Sequence, residues 1–206
     1  MCSQVTSEMT SEVTRGDANA VFIDPKPSWP MTMLLSPVTV GAYNRVFQII
    51  LSLKFVIGRI DAVRLRSRDK VARRDTVTMF KLMFVFSRVL DYVLAFSAGR
   101  GDGNLFDECR DFRDIVRAHE AALEEVEEIL MLSGKDGVVG VVVPQLCELG
   151  LDICEAVSKK VGEREREEAE RAFESKLELL LKLLEVRVRA GKKEAEGLVV
   201  SLTFTN

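Results

Sequence analysis

The sequence predicts an all-α protein, a single bundle of about five long amphipathic helices with a short C-terminal apolar tail. Apolar residues recur at steps of three and four through most of the chain, which is the period of helices that bury one face. Serine, proline and glycine mark the ends of these segments, and strand and helix patterns do not alternate. With 47% hydrophobic and 30% charged residues among 206, the chain suffices for one core and one domain.

The first helix is predicted to begin at Pro37, because Ser36 can cap it and proline is tolerated at the first helical position. Its apolar positions continue to about Arg66. A second helix is expected to be capped by Asp75 or Thr76 and to end at the glycine-rich segment 98–103. The apolar stripe of the first helix comprises Tyr43, Val46, Phe47, Ile50, Leu53, Ile57, Ile60 and Val63.

The second half of the chain predicts three more helices. One spans about residues 105–132, the next about residues 144–160, and the last begins with the acidic run 163–170 and stops near Gly191. The valine-rich run before Pro144 is ambiguous, because valine favours strands whereas proline interrupts a central strand. We favour a helix from Pro144 and leave its N-terminal flank open.

The first 21 residues differ in composition from the rest. Residues 1–21 are rich in serine and threonine and lack the basic start and apolar stretch of a secretory signal, so we expect them to be disordered. Residues 22–206 are assigned to the helical domain. The most apolar stretches, 47–58 and 79–97, are interrupted by charged side chains, so no transmembrane segment is predicted. The four cysteines lack paired spacing and indicate a reducing compartment.

The sequence carries no recognisable pattern of a catalytic or metal site. His119 is the single histidine and lies in helical phase with Ile115 and Leu123, so it is expected to be a hydrogen-bonded core residue. The glycine-rich segment GRGDG lacks the lysine and the spacing of a phosphate-binding loop. We therefore predict a non-enzymatic protein without a cofactor or a metal ion.

The most specific motif lies between Trp29 and Lys54, where Trp-Pro, alternating aliphatic residues and Ser-Pro precede an aromatic helix. This segment resembles the opening of the second GRIP motif in the gamma-tubulin complex component family. Weaker matches follow in the same order, at an aromatic helix over 84–96, at His119 and Leu123, and near the end of the chain. The motif residues are Trp29, Pro30, Met33, Leu35, Ser36, Pro37, Tyr43, Phe47, Leu51, Leu53 and Lys54, with Leu202 and Phe204 as the C-terminal match.

The resemblance implies a helical C-terminal domain that binds gamma-tubulin. It implies a non-enzymatic role in microtubule nucleation as part of a gamma-tubulin complex. The implied location is the cytoplasm and cytoskeleton, at a microtubule-organising centre or spindle pole. Other gamma-tubulin complex components are implied as further partners.

Contact residues are sought among the polar side chains that accompany the motif. Tyr43, Phe47 and the leucines that follow have core spacing, so they are interpreted as packing residues. Trp29 and Pro30 mark the motif as well, and they can equally form a hydrophobic plug at the entry to the first helix or part of an interface, since a tryptophan ring buries a large area in either role. The candidate gamma-tubulin contacts are Asn44, Arg45, Lys54, Arg66, Arg68 and Arg73.

A second hypothesis rests on residues 59–74, which carry seven basic side chains against two acids. The alternative function is a helical adaptor that uses this stretch to bind nucleic acid or an acidic membrane surface. No aromatic residue interleaves the arginines, and the whole chain has a net charge of −3. Nucleic acid is therefore not the expected partner.

Overall fold

The computed structural model describes residues 21–66, 73–97, 109–132, 138–159 and 161–203. These ranges form seven α-helices, one 3₁₀ turn and no strand, which confirms the all-α prediction. The helix number is seven rather than five, because two short helices accompany the five long ones. The helices are α1 (Met31–Leu34), α2 (Pro37–Arg66), α3 (Arg73–Ser97), α4 (Phe112–Ile129), α5 (Val138–Lys159), α6 (Glu163–Arg189) and α7 (Glu196–Thr203), with the 3₁₀ turn Lys193–Ala195 before α7.

Four long helices surround the core. Helix α2 packs against α3 and α5, and α5 packs against α6. Between α3 and α6, the rings of Phe86 and Phe173 meet edge to face, with centroids 5.8 Å apart. Helix α4 packs against α1, α2 and α3, while α7 packs against α3 and α6. None of the helices described here is long and apolar enough to span a bilayer.

The buried face of α2 differs in detail from the predicted stripe. Leu53 and Ile60 are fully buried as predicted, but Tyr43 is 37% exposed and Phe47 is only half-buried. The core positions of α2 repeat at alternating steps of four and three. Tyr43 and Phe47 come directly after the core positions Ala42 and Val46, so each lies about 100° around the helix axis from the core face. The core residues of α2 are Ala42, Val46, Ile49, Leu53, Val56, Ile60 and Val63.

The predicted bounds hold for α2 and are shifted for three other helices. Helix α3 begins at Arg73, slightly before the predicted start. Helix α4 begins only at Phe112, because the side chain of Asp111 accepts a hydrogen bond from the Asp114 amide and caps the helix there. Residues 98–108 lie outside the described ranges.

The prediction that α5 starts at Pro144 is wrong, since the helix starts at Val138 and contains the proline. A proline in a helix leaves the carbonyl four residues earlier without its usual donor. Here that residue is Gly140. The valine run is therefore helical, because its side chains reach the core: Val139, Val142 and Val143 are buried.

The C-terminal tail is a packed helix. After α6, Gly191 adopts a positive φ of 89°, a conformation that glycine tolerates and that suits the end of a helix. Helix α7 then places Leu198 and Leu202 in the core. Leu202 is therefore a core residue as predicted, whereas Phe204 lies outside the described residues.

Candidate protein-binding surface

Large apolar side chains are exposed between Trp29 and Val38. Trp29 is 79% exposed and Val38 is 78% exposed, and Met31 and Met33 lie half in solvent between them. The interpretation of Trp29 as a core plug is therefore wrong. We call these four residues the apolar patch. Four large apolar residues exposed within ten positions of the chain make this segment the candidate for a protein-binding surface.

The polar neighbour Asn44 is engaged within the chain. Its Oδ1 accepts a hydrogen bond of 2.7 Å from the Ile23 amide, and its Nδ2 donates one of 3.0 Å to the Ile23 carbonyl. One turn further along α2, the Gln48 Nε2 donates to the Val21 carbonyl. We call residues 21–28, which precede α1, the strap. As predicted, Asn44 faces away from the core, but its side chain already binds the strap.

Arg45 also has a partner within the chain. Its Nε donates to Glu127 Oε1 on α4, and Glu127 is nearly buried, whereas Arg45 is half-exposed. This ion pair joins α2 to α4. Removal of Arg45 would leave a nearly buried carboxylate without its cation, so the residue has a structural role whether or not it touches a partner.

His119 lies at the edge of the core rather than within it. Its Nε2 and the Tyr43 hydroxyl are 2.8 Å apart, which confirms the predicted hydrogen bond. The side chain is only half-buried, and its Nδ1 has no hydrogen-bond partner among the described residues. Burial raises the pKa of Tyr43, so the hydroxyl keeps its proton at neutral pH. The pair fixes α4 to α2.

Two of the remaining candidate contacts, Lys54 and Arg66, lie on α2. Lys54 is exposed, ten residues after Asn44, or about 15 Å along the helix axis. Arg66 ends the helix, about 30 Å beyond Arg45. The side chains of Arg66 and Arg73, and all of Arg68, lie outside the described residues. Within the described residues, Asn44, Lys54 and Arg66 are therefore spread along α2 and do not form one compact site.

The basic stretch 59–74 lies beside the acidic start of α6. Arg74 Nη1 contacts carboxylate oxygens of Glu163 and Glu167 at 3.1 Å each. Its Nη2 lies 3.4 Å from Glu170 Oε2. Hydrogen bonding to Arg74 holds the pKa of Glu167 below its ordinary value. Part of the local positive charge is therefore balanced within the chain, which weakens the nucleic-acid and membrane hypothesis.

The described residues contain no group of three or more His, Cys, Asp or Glu side chains arranged to hold a metal ion. Two of the cysteines, Cys147 and Cys154, are buried in the core. Burial raises the pKa of Cys147 to about 12 and that of Cys154 to about 11. Such thiols are protonated and poorly nucleophilic at neutral pH.

Sequence reasoning missed the strap and most of the apolar patch. Met31 and Val38 occupy ordinary apolar positions, and nothing in their spacing shows that the fold leaves them in solvent. Gln48 was missed because it is a polar residue on an outer helix face, where a side chain usually contacts water. Its sequence position does not indicate that it binds the backbone of a residue 27 positions earlier. The apolar triplet from Val21 to Ile23, in a polar surrounding, was the one available signal.

Comparison with known proteins identifies one family. The sequence matches the family model described as gamma tubulin complex component C-terminal over residues 2–206. A comparison with curated proteins gives no match.

Proposed function

Because this chain belongs to the gamma tubulin complex component C-terminal family, we propose that it binds gamma-tubulin and thereby supports microtubule nucleation. The observation that carries the proposal is the family match over residues 2–206. The helical architecture agrees with a binding module, and the proposed role requires no chemical step by this chain. Its proposed location is the cytoplasm and cytoskeleton, at a microtubule-organising centre or spindle pole, with other gamma-tubulin complex components as further partners.

The apolar patch is the part of the surface best suited to the proposed contact. Aromatic residues and methionine are enriched in protein interfaces, and tryptophan is frequent among residues that dominate binding energy. A stable interface covers about 800 Å² on each partner. An area of this size would take in polar side chains as well as the apolar patch, because the rim of a protein interface is polar.

The basic residues Arg66, Arg68 and Arg73 remain a second proposed contact. Arg66, at the end of α2, lies about 30 Å from Arg45 along the helix axis, so one gamma-tubulin would need an extended footprint to reach both residues. Charge reversal of the three arginines should weaken binding if gamma-tubulin reaches this end. Unchanged binding would restrict the interface to the end that bears the apolar patch.

The apolar contact can be tested with purified gamma-tubulin and surface variants of the full chain. Trp29→Ser with Val38→Ser removes the two most exposed apolar side chains of the patch. We expect affinity to fall about tenfold or more, because each residue that dominates an interface contributes at least about 2 kcal/mol. Val186→Ser on α6 is the matched control, since Val186 is also exposed, at 60%. Equal affinities for both variants would contradict the proposed contact.

A further inference from the structure

The strap is held to α2 through its backbone. Asn44 binds both the amide and the carbonyl of Ile23, and Gln48 binds the carbonyl of Val21. Asn44 and Gln48 are one turn apart, about 6 Å, and two residues of chain cover that distance only when the backbone is extended. These contacts would bind an extended peptide of any sequence, because backbone groups are common to all residues.

An underfilled apolar groove lies beside the strap. It has a volume of about 490 Å³ and runs between α2 and the first turns of α5, with Ile49 on one wall, Val141 and Pro144 on the other, and Leu132 at one end. Phe22 of the strap lines the groove but remains 64% exposed. The backbone of the strap is therefore fixed while its largest side chain fills the groove poorly.

The charges around the groove favour an uncharged side chain as its occupant. Among the described residues that line the groove, Arg45 is the one cation and is paired with Glu127, and the other polar lining groups are the neutral side chains of Asn44, Gln48 and Ser52. Burial of a charged peptide side chain here would lack a counter-charge, whereas a large apolar side chain would gain from leaving water.

We propose that the α2–α5 groove, together with Asn44 and Gln48, is a binding site for an extended partner peptide that places a large apolar side chain, rather than a charged one, in the groove. The strap occupies the backbone-binding part of this site in cis and must leave before the partner peptide enters. A tethered segment competes at a high effective concentration, so the strap lowers the apparent affinity of the partner. The inference is independent of gamma-tubulin binding.

The test uses the full chain and a fluorescent peptide with the sequence of residues 18–26, carrying tryptophan in place of phenylalanine at its centre. Phe22→Ser with Ile23→Pro disables the strap in the protein, because proline lacks the amide that donates to Asn44. We expect this strap variant to bind the peptide at least about tenfold more tightly than the wild type, by fluorescence anisotropy. Addition of Asn44→Ala and Gln48→Ala to the strap variant should return its affinity for the peptide to the wild-type value or below.

The matched control adds Gln145→Ala to the strap variant, since Gln145 is an exposed amide on α5 that does not line the groove. It should leave peptide affinity unchanged. Absence of peptide binding by a folded strap variant would overturn the proposal, as would binding that is insensitive to the changes at Asn44 and Gln48.

Hydrogen exchange on the wild-type chain gives a second measurement that needs no strap variant. Saturating peptide should displace the strap and accelerate exchange of the Ile23 amide, which otherwise donates to Asn44 Oδ1 at 2.7 Å. The same peptide with serine at its centre should have a smaller effect at equal concentration. Unchanged exchange of the Ile23 amide under saturating tryptophan peptide would contradict displacement.

Discussion

The Tyr43 hydroxyl lies 2.8 Å from His119 Nε2, although 76 positions separate the two residues. Their ring centroids are 5.9 Å apart. Both residues belong to the motifs that resemble the gamma-tubulin complex component family, and both lie between the core and the surface. Their contact fastens α4 to the N-terminal part of α2, next to the apolar patch.

Tyr43→Phe tests this connection, since it removes the hydroxyl and keeps the ring. We expect the free energy of unfolding to fall by about 0.5–1.5 kcal/mol, the usual net value of one hydrogen bond. Urea unfolding measures the change. In a His119→Ala background the same substitution should cost much less, because its partner is already absent. Equal costs in the two backgrounds would show that the hydrogen bond contributes nothing to stability.

Gly150 provides a test of packing where α5 meets α2 and α3. A methyl group at this position would lie 2.7 Å from Phe86 Cε2 and 3.3 Å from Val56 Cγ1. Phe86 is itself fully buried, so its ring has little room to move. Gly150→Ala should therefore lower the free energy of unfolding, because overpacking costs about 1–3 kcal/mol and outweighs a helical gain of about 0.5–1 kcal/mol.

Gly58→Ala in α2 is the matched control for Gly150→Ala. Its added methyl group would meet nothing within 4 Å, so only the helical gain should appear, about 0.5–1 kcal/mol of stabilisation. Thermal or urea unfolding of both variants gives the comparison. Stabilisation by Gly150→Ala would contradict the close approach of α5 to Phe86.

The ion pairs of Arg74 predict a dependence of stability on pH. Hydrogen bonding to Arg74 lowers the pKa of Glu167 from its ordinary value of 4.5. A carboxylate with a lowered pKa in the folded state stabilises the fold above its ordinary pKa, and this contribution is lost as the pH falls through the lowered value. Arg74→Gln should therefore destabilise the protein at pH 6 and have a smaller effect at pH 3, as measured by urea unfolding.

Arg164→Gln is a control for the pH experiment, because Arg164 pairs with Glu168 on α6, where the two side chains are 90% and 58% exposed. Exposed pairs of this kind contribute little to stability, so this variant should resemble the wild type at both pH values. A cost of Arg74→Gln that is the same at pH 6 and pH 3 would exclude the carboxylates as its cause.

The cysteines should differ in reactivity. Burial raises the pKa of Cys147 to about 12 and of Cys154 to about 11, whereas Cys109 is half-buried. In the native protein at pH 7.5, iodoacetamide should modify Cys109 well before the other two, because the thiolate is the reactive form and must be accessible. Mass spectrometry of digested protein measures the order. Rapid native modification of Cys147 would contradict its place in the core.

Local signals account for the part of the fold that was predicted. The bounds of α2 follow from the Ser36-Pro37 start and a long apolar repeat, and those of α6 from its acidic start and Gly191. The start of α5 was missed because valine propensity and Pro144 argue against a helix, while tertiary packing of Val139, whose side chain is buried, favours one.

The candidate site was less predictable because it depends on contacts distant in sequence. The helical phase placed Asn44 on an outer face, but it could not show that the strap returns to bind that face. Tyr43 was expected inside because aromatic residues at helical spacing are usually core residues. The plug role considered for Trp29 rested on the large area that a tryptophan ring buries. The exposure of Tyr43 follows from the heptad-like register of α2, in which Tyr43 comes directly after the core position Ala42.

Binding of the full chain to purified gamma-tubulin tests the central claim most directly. Size-exclusion chromatography with light scattering, at micromolar concentrations of both proteins and 0.15 M salt, should show a complex that contains one copy of each. Nucleic acid added in excess should leave that complex intact. Failure to form a complex under these conditions, together with salt-sensitive binding of the chain to nucleic acid, would contradict the account and favour the helical adaptor.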